Sequence, residues 1–97
     1  MKKKQELRLR AAIGQVLLHD WDPIGIRLNS LAADEYHSYI SGVFRLLAGD
    51  ASEQKITDHL RQLERVGMGL SSAEEARSAE AARRLKNIIM ETEADMV

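Results

Sequence analysis

Cysteine is absent from the 97 residues. No disulfide framework, thiolate metal site or cysteine nucleophile is therefore available. Proline occurs once and glycine six times, too few for the many turns of an all-β fold. No apolar run approaches the roughly 18 residues that a membrane-spanning helix needs. The opening Met1-Lys2-Lys3-Lys4 has the charge of a signal-peptide start. Gln5, Glu6, Arg8 and Arg10 interrupt where an apolar stretch would have to follow. The net charge of −1 gives no overall electrostatic footprint for nucleic acid. These absences lead to the expectation of a soluble cytoplasmic chain with no membrane contact and with direct nucleic-acid binding disfavoured.

What is present is helical. Hydrophobic residues make up 44% of the chain, enough for one core in a single domain spanning residues 1–97. The expected fold is all-α, a small four-helix bundle with a long irregular loop between helices 1 and 2. The first helix runs from about Lys3 to Leu18. Leu9, Ile13, Val16 and Leu17 form its apolar stripe, and Gly14 marks close approach of another helix. The segment from Asp20 to Ile26 ends that helix. Pro23 cannot continue it and pushes Asp22 toward extended geometry. Residues 20–32 form the irregular connection. The second helix starts near Ala33 or Asp34, with Tyr36, Ile40, Val43, Phe44 and Leu47 as its stripe and Gly49 as its stop. The third opens at Asp50-Ala51-Ser52-Glu53, with Asp50 or Ser52 as cap, and ends at Gly67. The fourth starts at Ser71-Ser72 and runs to about Glu91. Leu85, Ile88 and Ile89 are its large anchors, so its alanine-rich first half is expected to be loosely held. Residues 1–4 and 92–97 are expected to fray.

Charge is unevenly placed. Residues 1–10 carry five basic and one acidic side chain, whereas residues 11–60 carry seven acidic and three basic ones. His19, His37 and His59 lie on three segments without metal-ligand spacing, so no metal and no cofactor are expected. The acidic pairs Asp20/Asp22 and Asp34/Glu35 read as helix-end residues rather than as an acid–base pair in a dry pocket. No phosphate loop or nucleophile motif occurs, and an enzyme is not expected. Tyr36 belongs to the apolar stripe and is read as packing on Trp21. Tyr39 lies at the stripe's border beside acids, a composition that suits a protein interface.

The order Trp21-Asp22-Pro23-Ile24-Gly25-Ile26, Asp34-Glu35-Tyr36-His37-Ser38-Tyr39, Ala51-Ser52 and Met68-Gly69-Leu70 resembles a group of small bacterial helical proteins with a WDPIG…DEYDxY signature. The resemblance covers about residues 7–90. His37 stands where the pattern has Asp. Some members resemble immunity proteins of contact-dependent growth inhibition or related polymorphic toxin systems. The resemblance implies a protein that binds a secreted toxin domain, commonly a basic nuclease, and covers its active site. An acidic, aromatic surface would suit such a partner by steering association. The residues placed on that surface are Asp20, Asp22, Asp34, Glu35, His37 and Tyr39. Trp21, Pro23, Ile24, Gly25 and Tyr36 are given a structural role, folding the long loop over the core, and the indole then needs a partner for its N–H. Two other classes remain open: a homo-oligomeric regulatory or structural module, and a nucleic-acid-associated regulator using Lys2, Lys3, Lys4, Arg8 and Arg10.

Overall fold

The computed structural model describes residues 2–22, 36–67 and 75–94. Its described residues are all-α. Helix α1 spans Lys3–Val16, α2 His37–Ala48, α3 Glu53–Gln62 and α4 Glu75–Ala94. Two single π-turns extend the set: Leu17–Trp21 continues α1, and Leu63–Gly67 continues α3.

Helix α1 begins earlier than fraying predicts. Lys3 and Lys4 are already helical, and Gln5 Oε1 accepts from the Lys2 backbone N–H at 3.0 Å. The expected stripe is buried as read: Leu9, Ile13, Val16 and Leu17 all face the core. Gly14 does meet another helix. A Cβ there would lie 3.2 Å from Ile40 Cδ1 of α2, tighter than ordinary van der Waals contact.

The expected chain break at Asp20 is a correction. The helical path continues through Trp21, and it widens into a π-turn instead of stopping. The Asp22 N–H donates to the Leu17 carbonyl at 2.9 Å. Asp22 itself takes the left-handed conformation, with φ 33° and ψ 59°, and not the extended geometry read from its place before proline.

The α2–α3 corner is a Schellman turn. Asp50 N–H donates to Leu47 O at 3.1 Å and Ala51 N–H donates to Leu46 O at 2.9 Å, which satisfies two terminal carbonyls. The left-handed position is Asp50, with φ 58°, and not Gly49. Ser52 is the cap of α3, its Oγ accepting from Lys55 N–H at 3.1 Å. That resolves the choice between Asp50 and Ser52.

Helix α4 lies at the centre of the packing, against α1, the first π-turn and α3, with a smaller contact to α2. Its alanine-rich half is not loosely held. Ser78, Ala81, Ala82 and Leu85 recur at helical spacing and are each fully buried. Small side chains there bring backbones close, so burial is reached without large anchors. The helix also continues to Ala94, past the expected end at Glu91.

Polar contacts fix the helix directions. Lys86 Nζ pairs with Asp50 Oδ1 at 3.1 Å, while Ser78 Oγ meets Glu64 Oε1 at 3.1 Å. The start of α3 thus lies by the later part of α4 and its end by the early part, so the two are antiparallel. Val16 lies beside Asn87 and Glu91, Asp20 pairs with Arg84, and Trp21 reaches Ser78 through Glu64, so α1 and α4 are antiparallel as well. Among the described residues no helix is long and apolar enough to cross a membrane.

Candidate functional site

Two features concentrate polar chemistry and open surface. One is a buried polar node where the two π-turns meet. The other is a groove between α1 and α2.

The node is built around Trp21, which is fully buried. Its Nε1–H donates to Glu64 Oε1 at 2.6 Å, a short charge-assisted bond. Ser78 Oγ donates to the same oxygen at 3.1 Å. Glu64 is 2% exposed, and its second oxygen, Oε2, has no hydrogen-bond partner among the described residues. An orphaned buried carboxylate oxygen costs free energy that the rest of the core must offset. Each bond crosses from one element to another, so the node joins the first π-turn, the second π-turn and α4. The indole thus has the acceptor that its burial demands.

Beside it, Tyr36 O–H donates to Asp22 Oδ1 at 2.8 Å, with both residues buried. The Tyr36 ring lies 5.5 Å from that of Trp21, tilted by 48°, and the Tyr39 ring stands edge-on to the indole at 6.2 Å. The reading of Tyr36 as packing on Trp21 therefore holds.

The surface assignments fare differently. Asp22 belongs to the interior at 3% exposure, so it does not sit on a docking surface. The physical reason is the π-turn. It carries the chain one residue further round before the left-handed exit, and this turns the Asp22 carboxylate inward onto Tyr36. Asp20 is half-buried, its Oδ1 3.4 Å from Arg84 Nε, and Arg84 also lies 3.6 Å from Glu80. Asp20 therefore has a surface partner within the fold, an arginine that it shares with Glu80. His37 is exposed and Tyr39 half-buried. Asp34, Glu35, Pro23, Ile24 and Gly25 lie outside the described residues.

The groove is lined by Arg10, Ala11, Gly14, Gln15, Leu18, His37 and Ile40, and has a volume of about 450 Å³. This is within the size range of small-ligand and side-chain sites, roughly 300–1,000 Å³. Its floor exists because Gly14 and Ala11 carry almost no side chain where α2 crosses. Arg10 is held in place by three contacts. Nη1 donates to Ser41 Oγ at 3.0 Å, Nη2 lies 3.6 Å from Glu6 Oε1, and the guanidinium sits 4.5 Å above the Phe44 ring. Among the described residues no cluster of three or more His, Asp or Glu could hold a metal ion.

Glu64 and Ser78 were missed by sequence reasoning. The signal for Glu64 was its place four residues after Leu60 on the core stripe, together with the unassigned partner of the indole. The signal for Ser78 was its spacing to Ala81, Ala82 and Leu85. Among the described residues, His37 is the one predicted site residue that lines the groove.

A scan of family models and searches of curated proteins and solved structures gave no match. The resemblance therefore stands on its motifs alone.

Proposed function

We propose that the chain is an immunity-type protein, which binds a secreted toxin domain in the cytoplasm and neutralises it. The observation that carries this reading is the open groove between α1 and α2, with His37 on its lining. A concave site between two helices, apolar at its floor and polar at its rim, suits an anchor side chain from a protein partner. Tyr39 adds a half-buried aromatic ring on α2, held edge-on by Trp21. The motif resemblance supplies the identity of the partner as a toxin domain, of nuclease type in the commonest case. The π-turn node serves the fold in this reading, holding α1 and α2 in the register that opens the groove.

The test is co-expression with the toxin fragment encoded beside the gene. Growth should be rescued, and the two chains should co-purify as one complex. Failure of both rescue and complex formation overturns the reading.

A further inference from the structure

The core stripe of α1 is Leu9, Ile13, Val16 and Leu17, and the bundle covers it. A second apolar stripe runs along the same helix: Leu7, Ala11, Gly14 and Leu18, at i, i+4, i+7 and i+11. Its C-terminal three members line the groove beside Ile40. Its N-terminal member, Leu7, is 58% exposed and is one of the few large apolar side chains left open. Basic residues border this stripe on both sides. Lys3 and Arg10 lie on one edge and Lys4 and Arg8 on the other, with Glu6 the one acid in the segment. From Leu7 to Leu18 the stripe is roughly 16 Å long at 1.5 Å per residue, about three helical turns.

We propose that this stripe and the groove together form a docking site for an amphipathic helix of a partner protein, one whose apolar face is flanked by carboxylates. An apolar track in a groove between two helices is the geometry of helix-in-groove recognition, read by anchors at i, i+3, i+4 and i+7. Basic edges select the charge of the incoming helix and steer its approach. An anionic membrane surface offers the same charge. The shape favours the protein, because the site is concave over α2 and a single large apolar side chain, Leu7, protrudes from the described stripe. The proposal deepens the protein-binding reading by naming the chemistry of the partner segment, and it rests on that reading for its choice of face.

The experiment is selection of the full chain against a displayed library of 16-residue helical peptides, with the charges flanking an apolar face varied. Enriched peptides should carry Leu, Ile or Phe at helical spacing with Asp or Glu beside them. Leu7→Glu should weaken them at least tenfold, and Lys4→Glu with Arg8→Glu should do the same. Unchanged helicity and melting of each variant show that the fold is kept. Lys4 and Arg8 are exposed, so the charge reversal tests the site even where Leu7→Glu perturbs packing. Enrichment of basic peptides, no enrichment above an unrelated helical protein, or binding indifferent to all three substitutions overturns the proposal. So does tighter binding to anionic phosphatidylserine vesicles than to every selected peptide. Growth rescue by the chain alongside a failed selection would sink this proposal alone. Selected acidic helices with neither growth rescue nor a co-purified complex would sink the toxin assignment alone.

Discussion

The Trp21–Glu64 bond sets the terms for every single substitution near it. The indole N–H and the carboxylate are both buried, so removing one partner strands the other. Trp21→Phe leaves Glu64 with Ser78 as its remaining donor, and should cost about 1–3 kcal/mol for the lost charged bond, with a further loss of packing. Glu64→Leu leaves the indole N–H and the Ser78 hydroxyl without their acceptor, at about 1–3 kcal/mol for each stranded group. The double variant removes donor and acceptor together. Its destabilisation should fall short of the sum by about 1–3 kcal/mol, read from urea unfolding of the four proteins. Additivity within about 0.5 kcal/mol would show that the bond carries no coupling. Trp21 is the sole tryptophan, so intrinsic fluorescence of the proteins that retain it reports the node directly. Half of this arrangement was legible in the sequence. Burial of Trp21 and its need for an acceptor follow from the residue type. The acceptor itself was hidden, because a glutamate on a helix normally reads as a solvated position.

The elements differ in how openly their residues state them. α1 and α2 carry large side chains at helical spacing, and their stripes were readable with Gly14 as the crossing point. α4 was misjudged because its inward face is made of Ser78, Ala81 and Ala82, which carry little hydrophobic signal. Spacing was the better guide there, since close backbone approach compensates for small size. The π-turns were invisible for a different reason: an added residue in a helical turn leaves no trace in composition, and the first shows itself only in the structure, by the Asp22 N–H bond to Leu17 O and the inward turn of Asp22. The packing of α4 gives a clear expectation. Ala82→Leu puts three extra heavy atoms into a fully buried position and should cost about 1–3 kcal/mol by overpacking. Ala79→Leu, three residues earlier on the exposed face, should stay within about 0.5 kcal/mol of the parent. Equal melting temperatures for the two variants would show that the first half of α4 is held as loosely as its composition suggests.

At the scale of the whole molecule, the bundle architecture was legible and the docking surface largely was not. An all-α fold follows from scarce proline and glycine and from four periodic segments. The acidic face inferred from the middle of the chain loses Asp22 to the core and has Asp20 paired with Arg84, while the open groove lies beside the basic first turns of α1. Linear charge counts do not say which charges a fold will answer internally. The stability of the assembled bundle should also depend on pH through His59. This side chain is half-buried between α3 and α2, where a Cβ on Gly42 would stand 3.4 Å from its Nε2. Burial holds its pKa below the ordinary value of 6.5, because desolvation disfavours the imidazolium. The unfolded chain therefore takes up a proton on this histidine at a higher pH than the folded chain does. Above the unfolded pKa the two states are alike at this site. As pH falls from about 6.5 through the folded pKa, protonation favours the unfolded state and stability is lost. His59→Gln removes this contribution and keeps a polar side chain of similar reach. The urea midpoint of the parent should drop more steeply than that of His59→Gln between about pH 7 and pH 5, while carboxylate titrations affect both alike. Parallel curves over that interval would mean that the imidazole is as well solvated in the bundle as in the unfolded chain.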